Sequence, residues 1–147
     1  MCNTQYTMRF SAVLQAAIQD GTVVLPENLQ TDFNDIHCYR GVKVKEQETS
    51  RQLCRDDFNS QMEQRQFNCC LAVDPSKWED YSCSCFKDID ELKISFHLPR
   101  KNKGIAEGQI TKTFGACIED DSSHVHWFLY EGADPSPNFQ IIEVYHE

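Results

Sequence analysis

The chain has 147 residues, 40% hydrophobic and 25% charged, a balance that fits one folded domain over residues 1–147 and excludes extended disorder. Its formal net charge of −9 speaks against general nucleic-acid binding and against docking on anionic membranes, since both need basic surface. No stretch approaches the ~18 apolar residues of a membrane-spanning helix.

Taken in chain order, MRFSAVLQAAI at 8–18 is too short, and too interrupted by Gln15, for a signal sequence. Its spacing of Phe10, Val13, Leu14, Ala17 and Ile18 predicts an amphipathic helix, with Gly21 just past its end. TVVLP at 22–26 reads as a short strand, and ENLQTDFND as a loop. HCYRGVKVKEQ at 37–47 reads as a half-buried strand with Val42 and Val44 on one face. The polar segment 48–66, with Leu53, Phe58 and Met62 as sparse apolar points, predicts a surface helix.

From there the period changes to two. FNCCLAV, YSCSCF and LKISFHL at 92–98 all read as strands, the last with Leu92, Ile94, Phe96 and Leu98 facing one way. LPRKNKG at 98–104, the one basic stretch, reads as a solvated hairpin turn. GQITKTFGACIE, HVHWFLYE and FQIIEVYHE follow as strands, separated by the turn-rich EDDSS and GADPSPN. In HVHWFLYE the alternation places Val125, Trp127 and Leu129 on one face and His124, His126, Phe128 and Tyr130 on the other. The pattern implies an α+β fold: an antiparallel β-sheet, as a sandwich or small barrel, with an N-terminal helix and one further surface helix.

The eight cysteines pose the main chemical question. Buried reduced thiols serve as small core residues. Disulfides would imply a secreted protein, whereas the absence of an N-x-[ST] sequon and of a signal sequence leans toward an intracellular one. Zinc is the third reading. Cys83 and Cys85 share one strand face, and Cys70 (or Cys69) with Cys38 (or His37) would complete four ligands.

HWFLYEG at 126–132 has the form H-W-x-x-Y-x-G and resembles the His-bearing strand of the NlpC-like branch of the papain-like thiol hydrolases. The resemblance implies Cys69 as nucleophile, His126 as its base and Asn138 as the polar residue that orients the ring. In this chain Cys69 falls in an apparent strand, whereas that family places its cysteine at a helix N-terminus. The run Glu119-Asp120-Asp121 reads as a solvated turn, and no phosphate loop or G-x-S-x-G motif is present.

The leading expectation is a non-enzymatic, acidic protein-binding module. It would be a viral or host-interaction factor, or an accessory subunit, with a protein partner and no cofactor. Trp78 and Tyr81 in SKWEDY are its candidate anchors, because amphipathic aromatics outside strands favour interfaces. The thiol hydrolase and the zinc-stabilised module stand as alternatives.

Overall fold

The computed structural model describes residues 10–45, 51–65 and 71–145. Among the described residues there are three α-helices, α1 (Ala12–Gln19), α2 (Gln61–Gln64) and α3 (Ile89–Ser95), and six strands: β1 (Ile36–Lys43), β2 (Cys83–Phe86), β3 (Lys103–Ile110), β4 (Gly115–Glu119), β5 (His124–Leu129) and β6 (Phe139–Tyr145). They form one antiparallel sheet in the order β4-β5-β2-β1-β3-β6, so the fold is α+β. No helix among the described residues is long and apolar enough to cross a membrane.

The sheet is open but strongly curled. β5 and β6 lie four strand steps apart, about 19 Å in a flat sheet. Nevertheless the rings of Trp127 on β5 and Phe139 on β6 sit 6.2 Å apart, and Phe58 closes on Phe139 at 4.9 Å. The concave side thus encloses a core of Cys38, Val42, Val44, Phe58, Cys83, Cys85, Ala106, Ile110, Cys117, Val125, Trp127, Leu129 and Phe139. A second core lies on the convex side of β4 and β5, where α1 packs Leu14 and Ala17 with Phe10 against Ala116, Ile118, Phe128 and Tyr130. The predicted division of β5 into two faces is the one observed. Gly21, at φ +81°, ends α1 as its spacing implies.

Six local expectations are corrected. LKISFHL is not a strand: residues 89–95 form α3, which is why Leu92 is buried while Ile94 stands 76% exposed. Asp88 caps it by accepting from the Asp90 N–H at 2.9 Å, and Asp90 and Glu91 occupy its first turn. Seven residues carry too little pattern for period two to exclude the i, i+4 pair Leu92–Phe96. Phe96 then lies over Gly41, where a Cβ would meet the ring at 2.5 Å. LPRKNKG accordingly joins a helix to β3 and is not a hairpin turn.

The 48–66 helix is replaced by a 3-10 turn, Arg55–Phe58, and the single-turn α2 (residues 46–50 and 66–70 lie outside the described residues). The buried Arg40 explains the break. Its guanidinium donates to the carbonyls of Asp57 at 2.7 Å and Asn59 at 3.1 Å, oxygens that a continuous helix would use internally. Ser60 restarts the chain through a capping box with Glu63.

TVVLP forms no strand: Val23 packs in the convex core, Val24 is exposed, and Gln30 instead bridges to Cys117 at the β4 edge. GQITKTFGACIE divides into the end of β3 and all of β4 around the turn 111–114. Of FNCCLAV, residues 71–73 are not in a strand and 67–70 lie outside the described residues.

Candidate functional site

The convex face of β5 carries the polar chemistry of the fold. α1 covers the end with Phe128 and Tyr130. Nearer the β4–β5 turn, Trp78 from the 3-10 turn Trp78–Tyr81 meets His126 edge-on at 4.9 Å. Beyond it lies an open cleft of about 580 Å³, bordered by Asn28, Trp78, the two histidines and the carboxylates of Glu79, Glu119, Asp120 and Asp121. None of its lining residues is Lys or Arg.

Strand geometry sets the histidine pair. His124 and His126 are two apart, so both rings leave the same face, with centroids 4.0 Å apart. Their partners are equally regular. β2 runs antiparallel to β5 with Ser84 opposite His126, and Ser84 together with Ser82, the residue just before β2, reaches the two rings. Ser82 Oγ lies 3.2 Å from His126 Nδ1, and Ser84 Oγ hydrogen-bonds with His124 Nε2. The remaining nitrogens turn toward one carboxylate: Asp120 Oδ2 is 3.3 Å from His126 Nε2 and 3.9 Å from His124 Nδ1. Asp120 is held in place because its N–H donates to the His124 carbonyl at 3.1 Å, closing the turn.

The electrostatics follow from burial. His126 is 5% exposed. His124 is stacked on Phe86 at 4.5 Å, and burial, reinforced by neighbouring His126, pushes its pKa down to about 4. It is therefore neutral at pH 7. The hydrogen bond with His126 holds the Asp120 carboxyl below the usual carboxylate range.

Ser82, His126 and Asp120 superficially form a serine–histidine–aspartate array, but the hydroxyl is not poised for attack. Ser82 is 4% exposed, and its Oγ already donates to the Glu79 carbonyl at 2.8 Å. Of the residues suggested by the thiol-hydrolase resemblance, Cys69 lies outside the described residues. Asn138 sits in the 3-10 turn Ser136–Asn138 before β6, at the other edge of the sheet. The ring nitrogens of His126 are turned to Ser82 and Asp120, not to Asn138.

Of the suggested zinc ligands, Cys38, Cys83 and Cys85 do come together, linked by thiol contacts inside the concave core. Cys70 lies outside the described residues, and His37 pairs with Glu107 at 2.8 Å. Burial and contact with Cys85 push the Cys83 thiol well up, and the hydrogen bond to Cys38 does the same for Cys85. Both are neutral thiols, and Cys38, Cys54, Cys83, Cys85 and Cys117 are all free of disulfides. Of the two aromatic anchors, Trp78 borders the cleft, whereas Tyr81 is buried with its hydroxyl donating to the Pro75 carbonyl at 2.8 Å.

Sequence reasoning missed Asp120 and His124 as members of a site. The signal was there: H-x-H on a strand puts two rings on one face, and an aspartate at the start of the preceding turn can reach back to them. Comparison with protein-family models, curated proteins and solved structures gives no match.

Proposed function

We propose that this protein is a non-enzymatic interaction module whose convex-face cleft receives a Lys- or Arg-bearing segment of a partner protein. One observation carries the reading: Trp78 borders an acidic cleft in which part of the negative charge is unmatched. Lys87 answers Glu119 at 3.0 Å and Asp120 lies 3.3 Å from the His126 ring, but among the described residues Glu79 and Asp121 form no ion pair. A cationic side chain entering there would find two carboxylates and the Trp78 indole on one lining, and a cation–ring pairing is worth about 0.5–2 kcal/mol. The overall charge of −9 would steer such a segment toward the protein.

The test is fluorescence anisotropy with a labelled Arg- and Gly-containing peptide, against a Glu- and Gly-containing control. The reading expects binding of the basic peptide only, weakened by salt, by Trp78→Ala and by the double change Glu79→Gln with Asp121→Asn. Equal binding of both peptides, or indifference to these substitutions, overturns it. Iodoacetamide labelling of the same sample addresses the thiol-hydrolase alternative, which expects Cys69 to react far faster than the other cysteines and to lose that advantage in His126→Ala.

A further inference from the structure

We propose that Asp120, His124 and His126 form a binding site for one divalent first-row transition-metal ion, with zinc the ion that suits the ligand set. The three side chains offer one ligand atom each, all within 4.8 Å of one another. Donors around a tetrahedral zinc with bonds of about 2.0–2.1 Å stand about 3.4 Å apart. The 3.3 Å between His126 Nε2 and Asp120 Oδ2 already meets this, and the 3.9 Å from His124 Nδ1 needs to close by about half an ångström.

The hydrogen-bond directions make the stronger argument. Ser82 Oγ spends its proton on the Glu79 carbonyl, so it can offer His126 Nδ1 only a lone pair. Nδ1 therefore carries the ring hydrogen. In the neutral ring, Nε2 is then a bare acceptor pointed at a carboxylate 3.3 Å away. Two acceptors facing each other require a cation between them, either a proton on the ring or a metal ion. His124 adds a second imidazole on the same side, with one nitrogen on the Ser84 hydroxyl and the other turned to the same Asp120 oxygen. Metal-ligating histidines commonly have a polar partner on the other ring nitrogen that orients the imidazole, and here each ring has a serine hydroxyl there. Two imidazoles and a carboxylate without thiolate favour zinc and its neighbours over softer or harder ions. Three protein ligands beside an open cleft leave a further coordination position for water or an incoming side chain.

This inference goes beyond the partner reading and rests on different atoms, since that one depends on Trp78, Glu79 and Asp121. The experiment is titration of reduced, chelator-stripped protein with Co(II), followed by displacement with Zn(II). One ion per chain is expected, with ligand-field bands but no thiolate-to-cobalt charge-transfer band. Asp120→Asn changes a half-exposed turn residue and is expected to keep the far-ultraviolet circular dichroism while weakening binding at least tenfold. Ser84→Ala, which touches only the support of His124, is expected to weaken it about tenfold.

Absence of stoichiometric binding overturns the proposal in favour of a protonated His126–Asp120 pair. Binding undiminished in Asp120→Asn, or accompanied by a thiolate band, overturns it in favour of Cys38, Cys83 and Cys85. Basic-peptide binding by the chelator-stripped wild-type protein, which keeps every cleft carboxylate, reports on the partner reading separately.

Discussion

On the concave side of β5, Val125, Trp127 and Leu129 meet Cys83, Cys85 and Cys117, whereas on its convex side His124 and His126 meet Ser84, Ser82 and Asp120. A thiol tolerates enclosure because it is a weak donor and behaves as a small apolar group. Burial raises its pKa, to about 12 for Cys117, and removes the thiolate that chemistry or metal binding would need. An imidazole tolerates the same burial only with a partner on each nitrogen. The histidine face must therefore be built from specific neighbours, while the cysteine face needs only shape. Among the described residues the buried cysteines pack as core, while the less conspicuous Asp120, His124 and His126 gather at the cleft.

Substitutions on the two faces of β5 can break this comparison. Trp127→Ala empties the centre of the concave core and is expected to cost about 3–5 kcal/mol in urea unfolding. A cost no greater than that of a convex-face substitution would abolish the distinction. Without mutation, peptide mapping after brief iodoacetamide treatment should show Cys54, the exposed thiol, reacting at least about 100-fold faster than Cys38, Cys83, Cys85 and Cys117. Comparable rates would mean that the concave core opens readily.

Next in size is Asp57, beside the buried Phe58 at the rim of that core. Its carboxylate takes both Arg51 terminal nitrogens, at 2.7 and 2.8 Å, and the Cys54 N–H at 2.9 Å. Burial opposes its charge, but Arg51, the Cys54 N–H and Arg40 outweigh it and depress the pKa. Asp57→Asn should cost about 2 kcal/mol at pH 7. A depressed folded pKa stabilises the protein above the unfolded value of about 3.9, and that contribution is lost as pH falls through the folded value. The gap between wild type and variant should therefore narrow in acid unfolding curves below about pH 4; a constant gap would assign the loss to packing alone. Smallest is Ser84→Ala, expected to cost about 1 kcal/mol in thermal unfolding. A loss as large as that of Trp127→Ala would make the histidine face a second structural core.

Much of this was legible in the residues themselves. The i, i+3, i+4 stripe set α1, Gly21 ended it, and the alternation in HVHWFLYE assigned every side chain of β5 to its side. These are local rules, satisfied within one element. The failures share a cause. LKISFHL folds as a helix because Asp88 caps it and Phe96 finds room over Gly41, and segment 55–64 breaks because Arg40, from a distant strand, claims its carbonyls.

Sequence alone thus determined the α+β class, the antiparallel strands and the acidic charge. Tertiary structure decided that Cys38, Cys83, Cys85 and Cys117 are enclosed and that Asp120, His124 and His126 converge. Period and propensity act between neighbours along the chain. The partners of a buried guanidinium, thiol or imidazole are chosen by which strands lie side by side, here β2 against β5, and no local pattern encodes that pairing.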